Sequence, residues 1–129
     1  KMDNARTWLP QPVLREEDEK EVGIIYYGSM ENSIQEIDDI LEGEIGRKVS
    51  QCRVRSLPLS PVVEQFIRDH ETVIVLEINR DGQLYGILRR ELPNELIPKM
   101  HSAAYSDGMP PRARHYAELI KNVLAEVEE

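Results

Sequence analysis

The sequence predicts a three-layer α/β/α domain on a mainly parallel sheet, and three observations support this. From Val22 onward, an apolar run, a small polar turn and an amphipathic stretch recur about three times. The apolar runs, such as Val73-Ile74-Val75-Leu76, are continuous, as in strands buried on both faces. Helix-length segments separate them, and parallel neighbours require right-handed crossovers of that kind.

Val22 to Tyr27 reads as the first strand. After Gly28-Ser29, residues Ile34, Ile37, Ile40 and Leu41 fall on one helical face, and Gly43 and Gly46 are expected to stop that helix. Val49 to Val54 is the second strand. Ser60 then supplies an N-cap ahead of Pro61 at the first helical position, with Val63, Phe66 and Ile67 as the buried stripe. Thr72 to Ile78 is the third strand. Beyond Gly82, a short helix carries Leu84, Ile87 and Leu88 inward and ends before Pro93, and Lys99 to Ala104 forms a last short strand. The final helix has the clearest pattern, with Ala113, Tyr116, Ala117, Ile120, Val123, Leu124 and Val127 at three- and four-residue spacing behind Pro110-Pro111.

Residues 1–21 read as an entry segment and 22–129 as the α/β domain. The entry segment holds Pro10, Pro12 and the run Glu16-Glu17-Asp18-Glu19-Lys20-Glu21. Its apolar pairs Trp8-Leu9 and Val13-Leu14 suit a short edge strand that tolerates proline.

Composition excludes several function classes. With 129 residues, 40% hydrophobic and 31% charged, the chain fits a single core. Aromatic content of 5% makes that core aliphatic and leaves no stacking platform for bases. A net charge of −8 repels phosphate backbones and anionic membranes, so neither nucleic acid nor a membrane is an expected partner. Cys52 is the single cysteine, so it forms no internal disulfide and no multi-thiolate metal site. A reducing, cytoplasmic setting is the simplest expectation. No apolar run approaches the roughly 18 residues that span a bilayer.

The stretch from Val73 to Leu84 carries the most functional information. Its apolar run ends at Glu77, then Asn79, Arg80, Asp81, Gly82 and Gln83 follow where a helix begins. Open parallel sheets place their working groups at the carboxyl ends of strands. One reading makes Asn79 and Asp81 turn caps, Gly82 left-handed and Gln83 the helix opener. The other makes Glu77, Asn79 and Gln83 a polar lattice presented to a neighbouring domain or ligand. The two are compatible.

At the first strand's end, Gly28 and Ser29 offer a loop able to hold an anion at a helix N-terminus. Ser29 as a plain N-cap is the preferred reading, and the loop lacks the G-x-G-x-x-G order of a dinucleotide fingerprint. His70 falls at a helix end, His101 in the last strand and His115 on the final helix, with no metal-ligand spacing among them. Cys52 lies inside a strand, as a buried inert thiol would. No residue is assigned as catalytic and none as a metal ligand.

Three segments in order, Gly23-Ile24-Ile25-Tyr26-Tyr27-Gly28-Ser29, Glu77-Ile78-Asn79-Arg80-Asp81-Gly82-Gln83-Leu84 and Tyr105-Ser106-Asp107-Gly108-Met109-Pro110, resemble the C-terminal domain of the α subunit of 2-oxoacid:ferredoxin oxidoreductases. The central segment looks most like the 2-oxoglutarate branch. The resemblance implies a transketolase C-terminal-like fold with a mostly parallel five-stranded sheet and one antiparallel edge strand near Pro12 to Leu14. It also implies a complete enzyme that decarboxylates a 2-oxoacid on thiamine diphosphate and Mg2+. Electrons then pass through an iron–sulfur cluster to ferredoxin, and the acyl group passes to coenzyme A.

The chain lacks the Gly-Asp-Gly pattern that holds the diphosphate's metal in the family's β subunit, so no cofactor is expected on this domain and it should be inactive alone. Implied partners are the α subunit's N-terminal pyrimidine-binding domain and the thiamine-diphosphate-binding β subunit. Starting at Lys1, the chain reads as a piece of a longer α subunit in preference to a separately encoded one. Carried over by resemblance, Glu77, Asn79, Gly82 and Gln83 orient domain and subunit contacts, with Arg80 and Asp81 between them. Gly28 and Ser29 form the first loop, and Asp107 and Gly108 shape the turn into the last helix. Two alternatives stand beside this: a stand-alone domain binding a small anionic metabolite at Gly28-Ser29, and a pure assembly module without ligand.

Overall fold

The computed structural model describes residues 11–57, 59–77, 82–104 and 112–128, without the side chain of Ser29. Five strands form one sheet in the order β1-β3-β2-β4-β5. They are β1 (Val13–Arg15), β2 (Val22–Tyr27), β3 (Ser50–Val54), β4 (Thr72–Glu77) and β5 (Met100–Ala104). Among the described residues the helices are α1 (Glu31–Ile45), α2 (Pro61–Asp69), α3 (Gln83–Glu91) and α4 (Ala113–Val127), with 3-10 turns at Gly28–Met30 and Asn94–Lys99. β2, β3, β4 and β5 pair in parallel. β1 alone runs antiparallel, Leu14 lying opposite Cys52. The three-layer α/β/α class and the antiparallel edge strand therefore hold.

Strand alternation sorts the core into two halves. Val22, Ile24, Tyr26, Ile74 and Leu76 pack under Ile34, Ile37 and Leu41 of α1 and Tyr116, Ala117 and Ile120 of α4. Ile25, Cys52, Val54, Val73 and Val75 pack under Val63, Phe66 and Ile67 of α2 and Leu84 and Leu88 of α3. Tyr27 and Glu77 follow the second set by the same alternation, so both strand ends point toward α3.

Several local expectations change. α1 runs through Gly43 and ends at Ile45, where Gly46 (φ 65°) takes the left-handed cap and donates to the carbonyls of Glu42 and Leu41. Gly43 costs the helix about 1 kcal/mol against alanine, and the buried stripe beside it outweighs that. Ser29 is not the N-cap, because Gly28 (φ 63°) starts a 3-10 turn that moves the cap position to Met30. The last strand starts at Met100, one residue late, because the 3-10 turn extends through Lys99. Val127 is 40% exposed, since α4 has by then passed the sheet. Trp8-Leu9 and Ile78 lie outside the described residues.

Ser60 caps α2 as expected, its Oγ accepting from the Val62 amide at 3.1 Å with Pro61 at the first helical position. Replacing Ser60 with alanine is expected to lower stability by about 1 kcal/mol, read as a lower urea midpoint at unchanged slope.

Candidate functional site

Glu77 ends β4 as a buried carboxylate, 1% exposed. Its Oε1 accepts from the Leu84 amide at 2.8 Å and its Oε2 from the Tyr85 amide at 3.1 Å. Those amides belong to the first turn of α3, which has no capping side chain of its own because Gly82 stands at the cap. A carboxylate there satisfies orphan donors and complements the positive end of the helix dipole. The Glu77 main-chain carbonyl accepts from the Tyr116 hydroxyl at 3.0 Å. One residue thus joins the sheet to α3 on one face and to α4 on the other.

Gly82 sits at φ 62°, a left-handed conformation that favours glycine, and Gln83 opens α3. Both match the turn reading of this segment. Asn79, Arg80 and Asp81 lie outside the described residues, as do Asp107 and Gly108, so the structure brings together Glu77, Gly82 and Gln83 of the central motif. The Tyr27 hydroxyl donates to Glu77, and burial followed by that carboxylate's charge holds its phenol above the ordinary value. Tyr27 was not singled out from sequence. Its one available signal is its position at the end of the first strand, in phase with Ile25.

The first-strand loop meets this network at a cleft of about 330 Å³. Tyr27 and Gly28 line it from β2, Val54, Arg55, Ser56 and Leu57 from the end of β3, and Gln83, Leu84 and Ile87 from α3. The crossover from β2 leads to β3 and that from β4 to β5, on opposite sides of the β2–β4 pair. The cleft therefore lies on the carboxyl rim beside the topological switch point, where open α/β sheets take ligands. The Leu84 and Tyr85 amides are already engaged by Glu77, so any ligand here meets side chains instead of a free helix end.

On the α1 face, Tyr26 donates to Glu31 Oε1 at 2.7 Å, with Arg53 beyond it. Burial first, then the Glu31 hydrogen bond, raise the Tyr26 phenol above the usual range. A phenol with a folded pKa above its unfolded value of about 10 stabilises fully below that value and loses its contribution as pH rises through the folded one. Stability should fall above about pH 10, and Tyr26→Phe should flatten that fall. Urea midpoints at neutral and alkaline pH check this.

Cys52 is fully buried, and burial followed by the charge of Glu16 pushes its thiol up to about 12. A lone thiol so disfavoured as thiolate does not fit an iron–sulfur cluster. Among the described residues, no group of three or more His, Cys, Asp or Glu side chains is placed to hold a metal ion. These residues do not fit the diphosphate's metal either. His70 caps the end of α2 but is buried, 1% exposed, with Nδ1 donating to the Phe66 carbonyl at 2.7 Å. No helix among the described residues is long and apolar enough to cross a membrane.

No protein-family model matches the sequence, and no curated protein matches it either. Solved structures do match, among them the following two. A 2-oxoglutarate:ferredoxin oxidoreductase from Magnetococcus marinus, with 2-oxoglutarate, coenzyme A and succinyl-CoA bound, superposes on 93% of this chain at a TM-score of 0.75 and 27% identity. A split-gene transketolase, an inactive β4 tetramer, superposes on 89% at 0.64 and 18% identity, which bears on fold alone. This chain spans 21% of the oxidoreductase chain and 41% of the transketolase chain. The chain thus has a transketolase C-terminal-like fold and is similar, over nearly its whole length, to one section of a 2-oxoacid:ferredoxin oxidoreductase.

Proposed function

We propose that this chain is the C-terminal structural and assembly domain of the α subunit of a thiamine-diphosphate-dependent 2-oxoacid:ferredoxin oxidoreductase, acting on 2-oxoglutarate. The observation that carries the proposal is the 27% identity and shared fold across 93% of the chain, with the Glu77 and Gly82-Gln83 motif at the carboxyl rim. The Glu77 carboxylate supports a structural role, because both its oxygens are bound to the first turn of α3. It holds the rim in shape and moves no proton. In the whole enzyme, the N-terminal pyrimidine-binding domain and the β subunit bind thiamine diphosphate and Mg2+. An iron–sulfur cluster carries electrons to ferredoxin, and coenzyme A takes the acyl group. The domain alone is inactive, and the enzyme is cytoplasmic.

Co-purification tests the assembly role. Tagged chain should capture the thiamine-diphosphate-binding β subunit together with the N-terminal α domain, and charge reversal at Arg80 or Asp81 should weaken capture. Equal recovery with an untagged control would refute it.

A further inference from the structure

The rim cleft combines apolar walls with two polar groups that have no partner among the described residues. Val54, Leu57, Leu84 and Ile87 supply the walls, and Leu57 is 51% exposed although large and apolar. Arg55 and Gln83 stand at the same cleft, and among the described residues neither side chain makes a hydrogen bond or ion pair. Arg15, Arg47, Arg53, Arg68 and Arg114 each pair with a carboxylate, whereas Arg55, like Arg89, Arg90 and Arg112, has no ion pair among the described residues; Arg55 differs from those three in lining the cleft. The Tyr27 hydroxyl is committed to Glu77 and offers the cleft its ring.

We propose that this cleft binds a short-chain aliphatic monocarboxylate, with Arg55 pairing its carboxylate and Val54, Leu57, Leu84 and Ile87 covering its chain. A guanidinium meets a carboxylate through two parallel N–H···O bonds, and the Gln83 amide adds a donor. A phosphate dianion is disfavoured, because the nearby α3 amides already serve Glu77, the walls are apolar and the chain carries a net charge of −8. The volume of about 330 Å³ lies near the bottom of the roughly 300–1,000 Å³ range of small-molecule pockets, which suits a small acid. The cleft shares Gln83 and the carboxyl rim with the proposed assembly role, and the two readings are tested apart, capture of the β subunit reading assembly and calorimetry on the chain reading the cleft.

The probe is hexanoate, titrated by calorimetry into the full chain, with hexylamine and inorganic phosphate as comparators. Saturable binding in the millimolar range is expected for hexanoate alone. Arg55→Met should weaken it about tenfold or more while leaving the ligand-free melting temperature unchanged, since Arg55 is exposed and makes no hydrogen bond or ion pair among the described residues. Absence of hexanoate binding, equal binding by Arg55→Met, or equal binding of phosphate or hexylamine would overturn the proposal. So would loss of hexanoate binding in the assembled oxidoreductase, which would assign the cleft to an acidic contact from a neighbouring domain.

Discussion

Replacing Glu77 with alanine is expected to destabilise the chain by about 2–4 kcal/mol, a large effect for a single residue. The substitution removes the acceptors of two first-turn amides of α3 and of the Tyr27 hydroxyl, and Gly82 at the cap position has no side chain to replace them. A buried donor left unsatisfied costs about 1–3 kcal/mol, and here more than one is left. Glu77→Gln keeps one acceptor oxygen and should lose less, about 1–2 kcal/mol. Urea unfolding of the three proteins measures the order directly. A glutamine variant as unstable as the alanine variant would show that the charge at the helix end outweighs the hydrogen bonds.

Gly23→Ala should cost about 2–3 kcal/mol for the addition of one methyl group. Gly23 lies in β2, and a Cβ there would stand 2.7 Å from Phe66 Cε2, 2.8 Å from Phe66 Cζ and 3.2 Å from His70 Cγ. Neither ring can swing away. Phe66 is 1% exposed and packs on His70 at 4.4 Å between centroids, and His70 is tied to the Phe66 carbonyl. Overpacking a dense core costs about 1–3 kcal/mol, and two constrained rings place this site at the upper end. Phe66→Leu combined with Gly23→Ala should be more stable than the sum of the separate losses requires, because the shorter side chain vacates the space the methyl needs. Strict additivity in a double-mutant cycle would disprove the contact.

The elements legible in the sequence are those whose signal is periodic and local. Continuous apolar runs set β2 and β4, three- and four-residue spacing sets α4, and Ser60-Pro61 marks the start of α2, each because one short segment carries the cause. Gly43 misleads for the same reason. Local propensity marks it as a stop, but the deciding energy is the packing of Ile34, Ile37 and Leu41 under α1, which a single-residue preference of about 1 kcal/mol does not oppose. At the candidate site, Gly82 and Gln83 are readable from turn chemistry. The partners of Glu77 are not, because they are main-chain amides seven and eight residues onward that no side-chain pattern encodes. Likewise Tyr27 and Arg55 come together with α3 only after β3, β2 and β4 assume their spatial order. The buried position of His70 depends on Phe66 and Gly23 meeting where α2 packs on the sheet.

Reconstitution tests the central claim most directly: the carboxyl rim of this domain serves an active site built by other parts of an oxidoreductase. The rest of the α subunit and the β subunit would be assayed for 2-oxoglutarate-dependent ferredoxin reduction with and without this chain added in trans. The expected result is no turnover by the chain alone, little by the remainder, and restored turnover when they are combined, with Glu77→Ala restoring far less. Turnover by the chain alone, or a remainder whose rate the chain does not change, would contradict the account.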